Sequence, residues 1–112
     1  MSRYQPVLAL ALAWVACTPA LPEPAIAAQP DDAQPLEVPE PPPPARIEIV
    51  PDPPAALRSP VWVDGQWKYE GGGWLWHPGG WESGVPARRY ARPRIERRPD
   101  GQLVWYEGKF LD

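Results

Sequence analysis

The chain has 112 residues, a formal net charge of −3 and one cysteine, and it contains 19 prolines and 7 tryptophans. A chain of this length admits one ordinary domain at most, and a lone cysteine excludes a fold held by intramolecular disulfides. Thirteen of the prolines lie between Pro19 and Pro54, whereas six of the seven tryptophans lie between Trp62 and Trp105, so the composition predicts two unlike parts joined end to end.

The first residues predict export. Arg3 precedes a continuous apolar run of ten residues, from Val7 to Ala16. About 20 apolar residues are needed to span a bilayer as a helix, whereas a run of about ten is typical of the centre of a signal peptide. We therefore predict that residues 1–16 are a signal peptide.

The residues around Cys17 predict a lipid anchor. Trp14-Val15-Ala16-Cys17 resembles the lipobox of bacterial lipoproteins, in which small residues precede a cysteine that is diacylated and becomes the new N-terminus. The resemblance implies lipidation at Cys17, attachment to a membrane through the acyl chains, and a place in the cell envelope as an outer-membrane lipoprotein that faces the periplasm or the surface. The alternative is cleavage by the ordinary signal peptidase after Ala27, because Ala25-Ile26-Ala27 has the small-x-small form.

Residues 17–59 are predicted to be a disordered, proline-rich tether that starts at the lipidated cysteine. Residues 41–44 are four consecutive prolines, and large apolar residues are sparse. Such segments favour extended polyproline II, which rises about 3.1 Å per residue, so we expect no stable contacts with the rest of the chain. A proline run can also be a ligand for an aromatic groove, but a plain spacer is the favoured interpretation.

One spacing occurs three times in residues 60–112: an aromatic residue, two others, a glycine, one other and a second aromatic residue. The copies are residues 62–67, 76–81 and 105–110. Asp64-Gly65 favours a two-residue type I′ hairpin turn, which would place the flanking aromatic residues opposite each other. The same register predicts turn glycines at Gly65, Gly79 and Gly108, and it pairs Trp62 with Trp67, Trp76 with Trp81, and Trp105 with Phe110.

Other turn signals complete this part of the chain. Gly71-Gly72-Gly73 predicts a reverse turn between two aromatic segments, and residues 98–102 predict a turn that leads into a strand from Leu103 to Tyr106. No stretch after residue 60 has a helical period. We predict a small all-β fold class: an antiparallel β-meander of short hairpins in residues 60–112, after the signal peptide and the tether.

The repeated segments resemble the WxxGxW repeats, also called YxWGxW repeats, of proteins exported by Gram-negative bacteria, many of which are small lipoproteins. Trp74-Leu75-Trp76-His77-Pro78-Gly79-Gly80-Trp81 resembles the longer unit of that family. The resemblance covers residues 60–82 closely and residues 103–110 more loosely. It implies an envelope location and a small β-module, and it supplies no catalytic residue.

The repeat aromatics are the main candidates for a core or a binding surface: Trp62, Trp67, Trp74, Trp76, Trp81, Trp105 and Phe110. Exposed indoles would stack on sugar rings or grip a partner's prolines. Their even spacing favours cross-strand pairs, so we predict that at least half of them are buried.

Six arginines form a second candidate surface: Arg88, Arg89, Arg92, Arg94, Arg97 and Arg98. Such a patch could bind a polyanion outside the cell, such as a phosphorylated lipid. The favoured interpretation is a solvated strand that the acidic tether balances, and we do not expect nucleic acid as a partner.

Nothing in the sequence predicts an enzyme. His77 is the only histidine, and a zinc site needs several His or Cys donors, so we predict no metal and no cofactor. Glu70 and Glu82 could meet across a sheet, but surface charge is the default for both. We expect a non-enzymatic envelope lipoprotein whose module makes structural or binding contacts with cell-wall glycan or an envelope protein. The alternative is a secreted or periplasmic carbohydrate-binding module.

Overall fold

A computed structural model describes residues 20–111, and the predicted signal peptide and Cys17 lie outside these residues. Within them the chain forms short strands and no helix, which confirms the predicted small all-β fold class. The strands are β1 Ala25–Ala27, β2 Leu36–Val38, β3 Pro60–Val63, β4 Gln66–Glu70, β5 Gly73–His77, β6 Gly80–Ser83, β7 Arg89–Ala91, β8 Arg94–Arg97, β9 Leu103–Tyr106 and β10 Lys109–Leu111.

Strands β3 to β6 form one long hairpin. β4 pairs with β5 up to Glu70 opposite Gly73, and β3 pairs with β6 in the same antiparallel register. Gly71 and Gly72 close the hairpin with φ of 59° and 82°, as a type I′ turn requires at both central residues. This confirms the turn predicted within Gly71-Gly72-Gly73. Pairing is interrupted once, at residues 64–65 and 78–79, a place we call the gap.

The hairpin turns predicted at Gly65 and Gly79 are therefore wrong. Trp62 lies opposite Trp81, and Trp67 lies opposite Trp76, so the pairs within each copy do not form. The physical reason is the choice of turn. Two adjacent glycines supply positive φ without strain, whereas Asp64-Gly65 offers one glycine and Pro78 cannot adopt positive φ at all.

The third copy of the repeat is not a hairpin either. β9 and β10 belong to different sheets: Trp105 lies opposite Ile95 and Leu36, whereas Phe110 lies opposite Tyr90. The predicted Trp105–Phe110 pair and the turn at Gly108 are therefore wrong. The turn at residues 98–102 does join β8 to β9, with Gly101 at φ 87°, and β9 has the predicted bounds.

Residues 20–59, which we call the arm, lie on the rest of the fold. β1 pairs in parallel with β7, and β2 pairs antiparallel with β9. The prediction that the proline-rich segment makes no contacts is therefore wrong for residues 20–59. The arm contributes few apolar residues, but it supplies main-chain partners to strand edges that would otherwise be unpaired.

The core is small, and the arm completes it. Val38 of the arm is buried against Leu103 and Trp105 of β9. Three half-buried side chains pack around this cluster: Tyr69, Trp74 and Ile95. Within residues 20–111 the fold contains no helix with the length and apolarity that crossing a bilayer requires.

Candidate functional site

Three cross-strand aromatic pairs run along the long hairpin, and we call them the aromatic ladder. The pairs are Tyr69–Trp74, Trp67–Trp76 and Trp62–Trp81, with ring centroids 5.2, 5.3 and 5.4 Å apart and interplanar angles of 73°, 68° and 69°. Edge-to-face contacts of this kind contribute about 0.5–1.5 kcal/mol each beyond the buried area. The ladder therefore stabilises a hairpin that has little conventional core.

The ladder uses one indole N–H from each pair to hold the arm. Trp74 donates its Nε1–H to the carbonyl of Glu40 (3.2 Å), Trp67 to that of Pro44 (3.1 Å) and Trp81 to that of Pro51 (2.7 Å).

The acceptors follow one another along the arm as the donors follow one another from the hairpin tip toward its base. A proline-rich chain suits such donors, because its carbonyls are not used in secondary structure. The arm therefore lies along the ladder in a fixed direction and register.

The gap in the hairpin is filled by a carboxylate from the arm. Glu48 accepts hydrogen bonds from the main-chain N–H of Gly65 (3.0 Å) and of Gly79 (3.0 and 3.1 Å to its two oxygens). Main-chain N–H groups that lack a partner are costly when they are removed from water. Hydrogen bonds to a charged group contribute about 1.5–3 kcal/mol, so Glu48 is a strong polar contact between the arm and the hairpin.

The glycines of the gap are required by close approach and not by a turn. Neither has positive φ. A Cβ on Gly79 would lie 2.6 Å from Cζ2 of Trp62, and a Cβ on Gly65 would lie 2.5 Å from Cζ2 of Trp76. Gly80, by contrast, has nothing within 4 Å of such an atom.

Gly108 of the third copy is also required by close packing. A Cβ there would meet the hydroxyl of Tyr90 and Cδ of Pro93. Its N–H donates to Oε1 of Gln66 (3.0 Å), and Gln66 donates back to its carbonyl (3.3 Å). In all three copies the glycine is packed tightly and its N–H binds a side-chain oxygen. Sequence reasoning missed this role, although Pro78 beside Gly79 was a signal against a type I′ turn.

The two sides of residues 46–50 of the arm differ. The guanidinium of Arg46 lies 5.0 Å from the ring centroid of Trp67, and Glu48 enters the gap. The neighbouring side chains of Ile47 and Ile49 point away from the fold and are 101% and 96% exposed. This stretch is thus held by polar and cation–π contacts and not by burial of its apolar side chains.

A cavity of about 420 Å³ lies between the arm, the gap and β7. Trp62, Trp76 and Tyr90 contribute aromatic surface to its lining, and Asp64 and Arg46 contribute charge. Asp64 accepts a hydrogen bond from Nε1 of Trp62 (2.9 Å), which orients both groups. Sequence reasoning did not find this cavity, because the arm forms part of its wall.

Tyr90 beside the cavity is 7% exposed, and its hydroxyl is buried without a hydrogen-bond partner among the described residues. Burial raises the pKa of the phenol above its ordinary value of 10, and the negative charges of Asp64 and Glu107 raise the pKa further. Both causes disfavour the phenolate, so the folded chain holds the Tyr90 proton more tightly than the unfolded chain.

This difference predicts a loss of stability in alkali. Above pH 10 the unfolded state releases the proton first, so the contribution of Tyr90 is complete below pH 10 and is lost as pH rises through the folded pKa. Tyr90→Phe is expected to reduce the slope of unfolding free energy against pH in this range. Urea midpoints of both chains from pH 8 to 11 would test this, and equal slopes would contradict it.

The six candidate arginines are all exposed, and two of them pair with the arm. Arg92 lies 3.5 Å from Glu23, and Arg98 lies 3.6 Å from Glu37. The guanidinium of Arg88 lies 4.2 Å from the ring centroid of Phe110. Exposed ion pairs contribute about 0–1 kcal/mol, so these contacts position the arm more than they stabilise it.

The remaining candidates do not form a reactive site among residues 20–111. Nε2 of His77 lies 3.1 Å from Oε1 of Glu70, which is an exposed pair on the hairpin. Glu70 lies opposite Gly73 and Glu82 lies opposite Val61, so the two carboxylates do not pair across the sheet, and both are exposed as expected by default. No three metal-ligating side chains gather in the described part of the chain.

The repeat aromatics differ in burial. Trp62 and Trp105 are buried, at 5% and 8% exposure. The others are half-buried: Trp67, Trp74, Trp76, Trp81 and Phe110. Two of the seven are buried, so the prediction that at least half of them are buried is wrong. Of the half-buried rings, Trp67, Trp74 and Trp81 donate indole N–H groups to the arm.

In comparisons with known proteins, no family model matches the chain, and no characterised protein or solved structure is significantly similar to it.

Proposed function

We propose that the chain is a non-enzymatic lipoprotein of the bacterial cell envelope, anchored through Cys17, whose aromatic ladder binds an extended proline-rich chain. One observation carries the binding role: each aromatic pair offers one indole N–H to a main-chain carbonyl of residues 40–51. In this geometry the ladder is a peptide-recognition surface, and the arm is the chain that it holds.

The chemistry of the contacts favours a peptide over a sugar. Indole N–H donors that line an aromatic surface suit the carbonyls of polyproline II, which is extended before it binds and so loses little entropy. A sugar would need an open indole face. Trp62 is buried, and the other ladder rings meet each other edge to face.

A carbohydrate-binding module is the second candidate, and the cavity favours it. A volume of about 420 Å³ with Trp76, Asp64 and Arg46 in its lining would admit a small glycan fragment, with hydroxyls bound by the charged groups.

Cleavage of the arm would test the leading proposal. A protease site inserted between Ala55 and Ala56, which are both exposed, would separate the arm from the ladder after folding. We expect the two pieces to remain associated in native buffer. Combined Trp67→Phe and Trp81→Phe changes should weaken the association on the order of tenfold, since each lost hydrogen bond contributes about 0.5–1.5 kcal/mol.

The matched control is Leu75→Ala, because Leu75 lies on the same hairpin and is 53% exposed. It should leave the association unchanged. Rapid dissociation of the cleaved parent would contradict a binding role for the ladder. Titration with soluble peptidoglycan fragments tests the second candidate, because a saturable shift of tryptophan emission that Asp64→Ala abolishes would favour the glycan.

Cys17→Ser is expected to release the protein from the membrane fraction, because serine cannot form the thioether that carries the lipid. Fractionation of cells that express both chains, with gel mobility as a second readout, would measure this. A variant that remains with membranes and migrates like the parent would contradict the lipid anchor.

A further inference from the structure

We propose that the arm of one copy occupies the ladder and gap of a second copy, so that the protein pairs by reciprocal exchange of residues 20–51. This inference rests on the proposed binding role of the ladder.

The contacts of the arm do not depend on which copy supplies it. Three indole N–H groups bind main-chain carbonyls, and Glu48 binds the two glycine N–H groups of the gap. The arm of a second copy presents the same groups in the same order. In the closed form residues 20–51 lie on their own chain, and in the exchanged form they lie on the second copy. The two forms therefore differ only in the joining segment, the last part of the arm before β3.

A second copy fits better than an unrelated proline-rich chain. Beyond residues 40–51, the arm supplies Val38 to the core and two strands to the sheet edges. An unrelated proline-rich peptide would accept hydrogen bonds from the indole N–H groups, but it would leave Leu103 and Trp105 uncovered. Exchange with an identical arm replaces every one of these contacts, including the carboxylate in the gap.

The joining segment, residues 52–59, has the features of a hinge. All but one of its residues are exposed, and Pro53-Pro54 stiffens its first half. Its last two residues are held at the end of β6, because the main-chain oxygens of Arg58 and Ser59 accept hydrogen bonds from the N–H of Gly84 (3.2 and 2.9 Å). The change of direction that exchange requires therefore lies within residues 52–57.

The middle of the arm is suited to release. Ile47 and Ile49 are almost fully exposed, so lifting residues 46–50 uncovers little apolar surface. In the closed form the tethered arm has a high effective concentration at its own ladder, and the arm of a second copy in dilute solution does not reach that concentration. Exchange should therefore appear at high protein concentration and among copies held on one membrane surface.

Complementation between two damaged chains would test the proposal. Both chains carry Cys17→Ser, which removes the lipid site and the only native thiol. One has Glu48→Ala and so has a weakened arm with an intact gap. The other has Gly79→Ala and so has an intact arm with a blocked gap, because a Cβ there would lie 2.6 Å from the carbonyl oxygen of Val63.

Fluorophores on Leu75→Cys of the first chain and on Ile49→Cys of the second report exchange, because both sites are exposed. We expect energy transfer and a species of twice the monomer mass in the mixture, and neither signal in each chain alone. The control is a second chain that carries both Gly79→Ala and Glu48→Ala and the same label. It should give no energy transfer when it is mixed with the first chain, because its arm lacks the Glu48 carboxylate. Gly79→Ala need not fold to be informative, because its arm remains intact as a ligand.

Glu48→Gln serves as a milder arm variant if Glu48→Ala prevents folding. Absence of both signals in the mixture, with the undamaged chain monomeric over the same concentration range, would overturn the exchange. The cleaved arm would still remain associated in that case, so this failure is distinguishable from failure of the proposed function.

Discussion

Gly79→Ala is expected to destabilise the fold by about 1–3 kcal/mol, the usual effect of forcing an extra carbon into a packed site. The new Cβ would lie 2.6 Å from Cζ2 of Trp62 and from the carbonyl oxygen of Val63. The main-chain oxygen cannot move without disturbing β3, and displacement of the Trp62 ring would disturb the ladder. Urea midpoints of the full chain would measure the loss.

Gly80→Ala is the matched control for Gly79→Ala. It is the adjacent glycine, it has no positive φ, and nothing lies within 4 Å of its Cβ position. We expect a change within about 0.5 kcal/mol. Equal losses of stability at the two positions would show that close packing around residue 79 is not the reason for the glycine there.

Trp105→Ala is expected to cost about 3–5 kcal/mol, a large part of the ~5–15 kcal/mol that stabilises a small domain. Trp105 is 8% exposed, and its ring centroid lies 5.6 Å from that of Trp74. The change would open a cavity at a place where β9, the arm and the hairpin meet. Thermal and urea denaturation of the full chain would measure the loss.

Ile47→Ala is the control for Trp105→Ala, because Ile47 is fully exposed and should contribute almost nothing. If residues 46–50 formed a core and β9 lay at the surface, Ile47→Ala would instead cost more stability than Trp105→Ala. A variant with Trp105→Ala that retains parental stability would contradict the described core.

Part of the fold could be predicted from local chemistry. Three adjacent glycines marked the tip of the long hairpin, because two residues with positive φ are what a tight hairpin turn needs. The turn at residues 98–102 and the strand that follows it were also predicted, because Pro, Asp and Gly are adjacent there and precede an apolar strand. These features depend on neighbours in sequence.

The position of the arm could not be predicted in the same way. Residues 20–59 contain too few apolar residues to fold by themselves, and such a composition predicts that they make no contacts. They are ordered by groups on other parts of the chain: strand edges, indole N–H donors and two glycine N–H groups. None of these partners is visible from the composition of the arm.

The sequence by itself determined the type of structure and the spacing of its aromatic residues and glycines. Tertiary structure decided which aromatic residues pair and what the glycines do. The reason is that one hairpin reversal sets the register of every residue on both strands. The turn at Gly71-Gly72 therefore placed Trp62 opposite Trp81, and it placed Gly65 and Gly79 together in the gap. The carboxylate that fills this gap comes from residue 48, which lies outside the repeat.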